Sequence, residues 1–352
     1  MKKNFLIDCE RMRYPFTGLY TYCHQLGKHL LQELAATEQL TIYGPAALEK
    51  VFGPRAAYYH RHAYHKLLPP AAKQIDCWHA THQGTEYFPR NKKTKLVLTV
   101  HDINFMHEHT KSAAKQKSYL SRLRAKAERA DHLVFISEFV KKDFFSHIPL
   151  NGKPASVIYN GCETATVAIS EKPVAAPDTP FIFALGLITA KKNFHVLPAL
   201  LMNNTLKLVI AGSVQQKAYQ QEILKAAQQC GVSDRVIFTG AITEEDKQWY
   251  YQHCTAFAFP SIAEGFGLPA VEAMRYGKPV FLSDQTSLPE IGGDAAFYFT
   301  SFDPEAMLEV FANGMQLYES ASMEKKIRLH AAQFSWSNTA KQYLDIYRQL
   351  CQ

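Results

Sequence analysis

The sequence predicts an α/β protein made of two doubly wound parallel-sheet domains. Three observations carry this expectation. The chain has 352 residues, more than one hydrophobic core usually spans. Short apolar runs alternate with helical or loop stretches in two successive series. Between the series lies Thr164–Pro180, with Pro173, Pro177 and Pro180 and few apolar anchors, the best linker in the chain. The first series of strands is Phe5–Asp8, Leu40–Tyr43, Ile75–His79, Leu96–Val100, Leu133–Ile136 and Ser156–Tyr159. The second is Phe181–Leu185, Leu206–Ala211, Val236–Thr239, Ala256–Phe259 and Pro279–Ser283. Sheets of this kind bind ligands outside the carboxyl ends of their strands, so the cleft between the two domains is the expected site.

Composition narrows the class. Apolar residues make up 47% of the chain, which excludes a disordered protein, yet no run approaches the roughly twenty apolar residues of a membrane span. The basic start Met1-Lys-Lys leads into the strand-like Phe5–Asp8 and not into a signal peptide, so a cytoplasmic location is expected. The seven cysteines, an odd number without a Cys-x-x-Cys pair, read as scattered reduced thiols, and no structural metal is expected. Net charge is +7, and Lys111, Lys115, Lys117, Arg122, Arg124, Lys126 and Arg129 stand against the single Glu128. Such a basic helical face fits anionic headgroups at the inner membrane surface, and it fits a solvated helix equally well. No aromatic and basic recognition motif points to nucleic acid. His60, His62 and His65 lack acidic or cysteine companions at a metal-site spacing.

The most informative segment runs from Ser261 to Met274. Ala256–Phe259 suits a buried strand, and a helix is expected from about Pro269 to Tyr276, stopped by Gly277. Proline suits a first turn, and Gly265 and Gly267 let bare backbone approach a ligand. Amides of Gly265, Phe266, Gly267 and Leu268 at a positive helix end attract phosphate. Glu272, read as lying in the first turn, would accept hydrogen bonds from sugar hydroxyls, and Glu264 would meet another part of the ligand. Taken singly, Glu272 complements a helix dipole and Glu264 is a solvated loop acid.

Three other places gather chemistry. Lys191 and Lys192 sit where strand Phe181–Leu185 hands over to a helix, a position that opposes the dipole unless an anion binds there. His101 and Asp102 follow strand Leu96–Val100 at its carboxyl end, with a structural histidine as the alternative reading and Asp102 orienting the loop or His101. Arg11, Arg13 and Gly18 lie in the loop after the first strand. Ser137 reads as a helix N-cap, and Asn160-Gly161 as a tight turn after a strand.

The stretch Glu264-Gly-Phe-Gly-Leu-Pro-Ala-Val-Glu272 resembles the Glu-x7-Glu motif of the retaining glycosyltransferases of family 4, whose fold is called GT-B. The resemblance spans nearly the whole chain and is strongest from Phe181 to Asp303. It implies two Rossmann-like domains facing a cleft: 1–165 for the acceptor, 166–333 for the nucleotide-sugar donor, and a C-terminal helix, 334–352, returning to the first domain. It also implies roles. Glu264 lies at the donor sugar, and Glu272 holds the ribose. Lys191 and Lys192 take the diphosphate, with the amides of the glycine loop serving sugar and diphosphate. His101 contacts the sugar near the reacting carbon. Two departures stand out: Leu187 occupies the place of an arginine in many relatives, and only Gly18 represents the two adjacent glycines often found in the first loop. The implied reaction moves a hexose, mannose from GDP-mannose first, to a glycan or lipid-linked acceptor of bacterial surface polysaccharide. It proceeds with retention and without a metal or other cofactor. UDP-sugars would use the same contacts. A GT-B sugar-nucleotide epimerase and a catalytically silent membrane-docking subunit are the rival readings.

Overall fold

The computed structural model describes residues 2–15, 17–68, 72, 74–107, 112–163, 171–320 and 322–352. Lys111 and much of the predicted linker therefore lie outside the described residues. The chain divides into two units, one of Met1–Gly161 with Phe334–Gln352, the other of Cys162–Gln333.

In the first unit seven parallel strands form one sheet: β1 (Lys3–Asp8), β2 (Glu38–Gly44), β3 (Ala57–His60), β4 (Cys77–Ala80), β5 (Lys95–Val100), β6 (His132–Phe135) and β7 (Ala155–Val157), in the order β3-β2-β1-β4-β5-β6-β7. Its helices are α1 (Gly18–Glu33), α2 (Glu49–Phe52), α3 (Ala113–Arg129) and α4 (Glu138–His147), with α11 (Trp336–Leu350) from the chain end. Phe5, Leu6 and Ile7 of β1 are all fully buried, as expected of a parallel strand covered on both faces. Sheet order reverses between β1 and β4, which makes that boundary the switch point where such folds bind ligands.

The second unit repeats the plan with six parallel strands: β8 (Phe181–Leu185), β9 (Lys207–Ala211), β10 (Val236–Gly240), β11 (Ala256–Phe259), β12 (Val280–Ser283) and β13 (Phe297–Phe299), ordered β10-β9-β8-β11-β12-β13. Around it lie α5 (Lys217–Gln229), α6 (Glu244–His253), α7 (Leu268–Arg275), α8 (Leu288–Gly292), α9 (Pro304–Ser320) and α10 (Met323–Ala332). Its switch point falls between β8 and β11. The edge strands β3 and β13 are not among the predicted strands. β3 is no more than half-buried and β13 is three residues long, so neither offers a long buried apolar run.

Helix α11 completes the first unit's core. Trp336, Ala340, Tyr343, Leu344 and Tyr347 recur at helical spacing and are all buried. Tyr343 Oη lies 2.7 Å from Tyr22 Oη and 2.9 Å from Thr99 Oγ1, and Tyr347 Oη 2.6 Å from His79 Nδ1. Gly161 is explained here. A Cβ on it would fall 2.2 Å from the Trp336 backbone nitrogen, so close packing against α11 requires the glycine, and not the tight turn the sequence suggested. Ser137 caps α4 as expected, accepting from Val140 N at 3.2 Å. Helix α3 exposes Lys115, Lys117, Arg122 and Arg124. Lys126 and Arg129, however, are committed to the Gln83 and Pro89 carbonyls. His65 belongs to an aromatic cluster, its Nδ1 2.9 Å from Tyr43 Oη, while His60 pairs with Glu49 at 2.7 Å. Among the described residues no helix is long and apolar enough to cross a membrane.

Candidate active site

The two units each present polar groups at the carboxyl ends of their switch-point strands. In the second unit, β8 and β9 end in glycines that lie back to back. Gly186 has φ +154 and Gly212 φ +144, and a Cβ on Gly212 would sit 1.9 Å from the Gly186 carbonyl oxygen. That approach lets the loop after β8 turn into a single 3-10 turn, Ala190–Lys192, ended by Asn193 in the left-handed region at φ 56.

This turn delivers Lys192 to Glu264. The ammonium lies 2.5 Å from Glu264 Oε1 and 4.6 Å from the centroid of the Phe259 ring. Ser261 Oγ donates to the same carboxylate oxygen at 2.7 Å and lies 3.1 Å from the Lys191 carbonyl, which also accepts from Ile262 N at 2.9 Å. The lysine loop and the glutamate loop are thereby joined, although 72 residues separate Lys192 from Glu264. Burial alone would raise the Glu264 pKa. The Lys192 charge and hydrogen bond, with Lys191 and Ser261, outweigh it and hold the carboxyl below its ordinary range. Glu264 is therefore a fixed negative charge at neutral pH and not a proton donor.

The backbone of Glu264 is held as firmly as its side chain. Its N–H donates to Thr286 Oγ1 at 3.0 Å, and its carbonyl accepts from Ser287 Oγ at 3.0 Å. Thr286 has φ 55, a left-handed conformation unusual for a β-branched residue that costs about 1–3 kcal/mol. Phe266 is buried and anchors the following loop, while Gly267, at φ +99, is the N-cap of α7 and leaves room for Leu288. Since α7 begins at Leu268, Glu272 falls in its second turn and not in the first, which removes the simple dipole reading. Its carboxylate instead accepts from Lys247 Nζ at 2.9 Å and Tyr251 Oη at 2.8 Å. Burial would depress the Lys247 pKa, but Glu272 and Glu244 carry it well above the ordinary lysine value.

In the first unit, β1 ends at the buried Asp8. One carboxylate oxygen accepts from Thr85 Oγ1 at 2.5 Å, the other from Glu10 N at 2.9 Å, and the Asp8 carbonyl accepts from Thr81 Oγ1. Burial pushes this carboxyl up to about 6 against the lowering effect of those bonds. Glu10, also buried, pairs with Arg13 at 3.0 Å and Arg11 at 3.6 Å. The loop after β4 links this cluster to His101. Gln83 Oε1 accepts from His101 N at 3.0 Å while its Nε2 donates to the Asp102 carbonyl at 2.7 Å. Asp102 Oδ1 accepts from Asn104 N at 3.1 Å, so Asp102 orients the loop. His101 Nε2 faces the Thr81 carbonyl at 2.8 Å, which makes it the protonated nitrogen and Nδ1 the acceptor of a neutral ring. Gly18 opens α1, with Thr17 capping through Tyr20 N at 3.2 Å and open space where a Cβ would stand.

A pH dependence follows from the first unit's histidines. Burial lowers His101 to about 4, partly opposed by its bond to Thr81, and lowers His79 to about 3. Both folded values lie below the unfolded one, so the unfolded chain binds more protons and stability rises with pH from about 4 to 6.5. Asp8 has the opposite sign, since its raised value favours the fold at low pH and that contribution is lost as pH rises toward 6. With His82, which burial also holds well below its ordinary value, three histidines against one raised carboxyl leave a net gain with rising pH, at most about 1.4 kcal/mol per pH unit for each group. Urea unfolding of the first unit at pH 4.5 and pH 7, with His79→Gln alongside, checks this. The expected result is a lower midpoint at pH 4.5 and a smaller pH difference in the variant.

Of the predicted residues, the second unit brings Lys191, Lys192 and Glu264 together, with Gly265, Phe266, Gly267 and Leu268 leading from Glu264 into α7 and Glu272 one turn along it. His101 and Gly18 belong to the first unit. Not foreseen were Ser261, Thr286, Ser287, Lys247 and Tyr251, which hold the two glutamates, nor Asp8, Glu10, Thr81, Gln83 and Thr85. The ends of β1 and β4 at the switch point were the available signal for Asp8 and the Thr81–Thr85 loop.

Comparison with known proteins places both halves. Residues 18–166 match the family model described as Glycosyltransferase Family 4, and residues 167–329 that described as Glycosyl transferases group 1. The chain is 31% identical over 255 residues, 66% of its length, to the serotype-specific mannosyltransferase WbdA of Escherichia coli, and spans 30% of that longer protein. It is 24% identical over 396 aligned positions to O-antigen chain mannosyltransferase B of Escherichia coli, covering 97% of this chain and 98% of that one. Among solved structures, sucrose-phosphate synthase from Thermosynechococcus elongatus superimposes with a TM-score of 0.74 at 20% identity, over 99% of each chain, a likeness of fold.

Proposed function

We propose that this chain, a GT-B glycosyltransferase in both of its halves, transfers a hexose with retention from a nucleoside diphosphate donor to a glycan or lipid-linked acceptor. Mannose from GDP-mannose, used in bacterial surface polysaccharide synthesis, is the first choice. It is supported by similarity to proteins named serotype-specific and O-antigen chain mannosyltransferases. The observation that carries the reading is the Lys192–Glu264 ion pair beside the glycine loop, with Glu272 on the next helix. The donor diphosphate binds against Lys191, Lys192 and the amides after Glu264, which neutralise the charge that grows as the nucleotide departs. Glu264 stays ionised and stabilises the positive charge developing on the sugar. The acceptor hydroxyl attacks from the face the nucleotide leaves, and the departing phosphate takes its proton. His101, neutral with Nδ1 as acceptor, receives a sugar hydroxyl. No divalent metal takes part in this scheme. The exposed basic face of α3 is proposed to rest on anionic lipid at the inner face of the membrane, where a lipid-linked acceptor would be met.

The first test is metal-free binding of GDP, UDP and their common sugar conjugates. GDP and GDP-mannose are expected to bind in preference to the UDP series. Glu272→Ala is expected to weaken nucleotide binding roughly tenfold or more through loss of charged hydrogen bonds to the ribose. A preference for the UDP series would overturn the donor, and no binding in either series would overturn the transferase assignment.

A further inference from the structure

We propose, resting on the reading of Glu272 as the group that holds the ribose, that Lys247 and Tyr251 are positioning residues for Glu272. They aim its carboxylate so that the donor site takes ribonucleotides and discriminates against their 2′-deoxy and 3′-deoxy forms. Lys247 is a cation in an unfavourable place. Helix α6 opens at Glu244, with the Thr243 hydroxyl accepting from Asp246 N at 3.1 Å, and Glu244, Glu245 and Asp246 fill its first turn as the helix dipole favours. Lys247 comes next, still near the positive end, where a lysine by itself is disfavoured. Two carboxylates offset this, Glu244 at 2.8 Å and Glu272 at 2.9 Å, and little of the lysine side chain is exposed. Glu244 is a neighbour on the same helix, whereas Glu272 comes from α7, 25 residues on.

Tyr251 stands one turn further along the same face of α6. Its ring is buried, edge-on to Phe183 at 5.2 Å, 5.4 Å from Phe257 and 6.0 Å from Tyr276, which leaves the hydroxyl to find a partner. That hydroxyl has one proton to give. Glu272 Oε2 lies at 2.8 Å and the Pro269 carbonyl at 3.2 Å, so the carboxylate takes the shorter bond. Lysine thus holds one oxygen of Glu272 and tyrosine the other. Held at both ends, the carboxylate is kept from turning about its terminal torsion, which is broad in a free glutamate. Each carboxylate oxygen accepts two hydrogen bonds, so each keeps one lone pair for a ligand. Two oxygens with one lone pair each match the cis-diol of a ribose, one hydroxyl to each oxygen. Lys247 and Tyr251 act through Glu272, and neither is required to touch the nucleotide.

The test is metal-free calorimetric titration of the full chain with GDP and with UDP, each beside its 2′-deoxy and 3′-deoxy forms. Wild type, Lys247→Met, Lys247→Arg and Tyr251→Phe are compared. Wild type is expected to bind the preferred ribonucleotide roughly tenfold or more tighter than either deoxy form, the value of one charged hydrogen bond. Lys247→Met and Tyr251→Phe should each lose most of that ratio, the ribonucleotide weakening while the deoxy forms stay within about twofold of wild type. Lys247→Arg, which still donates to both carboxylates, should recover most of it. If the variants weaken ribonucleotide and deoxy forms alike, or leave both unchanged, the ratio survives and the proposal is overturned, with the ribose role of Glu272 intact. A wild-type chain that binds ribonucleotide and deoxy forms equally overturns the ribose role itself. Lys247→Met removes the cation shared by Glu244 and Glu272 and risks misfolding, in which case Tyr251→Phe, which keeps the ring packed, decides alone.

Discussion

Glu264→Ala is expected to lose sugar transfer by a factor of about 10² to 10³ while retaining nucleotide diphosphate binding. The argument rests on what the carboxylate touches. In the free protein Glu264 occupies the Lys192 ammonium at 2.5 Å and takes the Ser261 hydroxyl. Removing it releases Lys192 to meet the diphosphate unshared, so GDP affinity should hold or rise as kcat falls. A buried lysine without its partner also destabilises the second unit, by up to about 3–5 kcal/mol. Glu264→Gln separates the two effects, because the amide keeps the shape and can still accept from Ser261 while losing the charge. Transfer assays on both variants, with GDP titrations, make the comparison. If both lose nucleotide binding together with transfer, the carboxylate holds the nucleotide and not the sugar. Isolation of a glycosyl-Glu264 adduct would replace same-face attack with double displacement.

Gly212→Ala is expected to be the most disruptive single methyl in the second unit. The new Cβ would stand 1.9 Å from the Gly186 carbonyl oxygen, a backbone atom that no side-chain rotation can clear, and φ +144 is itself foreign to alanine. A cost of about 3 kcal/mol or more is expected. Relief requires separating the ends of β8 and β9, which displaces the turn carrying Lys191 and Lys192, so nucleotide binding should weaken as stability falls. Gly231→Ala is the matched control. It also has positive φ, +68, but open space around the Cβ, so its penalty should stay near 1 kcal/mol. Thermal melts of both variants, with and without GDP, check the contrast. Equal destabilisation would mean that the backbone angle and not the Gly186 contact sets the cost.

Where the sequence was legible, a local pattern carried the information. The central strands announce themselves because burial on both faces demands unbroken apolar runs, as in Phe181–Leu185. β3, no more than half-buried, and the three-residue β13 were missed, although β7 and β10, equally at the sheet edges, were found. Glu264 was legible through a motif of fixed spacing and Lys191 and Lys192 through their place at the end of a strand, and the structure sets Lys192 2.5 Å from Glu264. The groups that hold them were not. Lys247 and Tyr251 reach Glu272 from α6, and Thr286 reaches Glu264 from the loop before α8, contacts that only the folded chain creates. The first unit's cluster is the extreme case. Asp8 ends β1, Gln83 and Thr85 lie in the loop after β4, and His101 follows β5, so no spacing links them to His101. Glu272 was picked out by the motif but read as lying in the first turn, whereas α7 starts one residue before Pro269, at Leu268 after the positive-φ Gly267, and leaves it at the start of the second.

Helix α11 has a consequence for the order in which the molecule is made. The second unit is one unbroken stretch, Cys162–Gln333, inserted between the two pieces of the first. A ribosome therefore joins every residue of the second unit before it adds Trp336, Tyr343 and Tyr347. The half that is begun first is finished last. Until then Phe5 of β1, Tyr22 of α1 and His79 of β4 lack their covering, an exposed apolar surface of the kind chaperones bind.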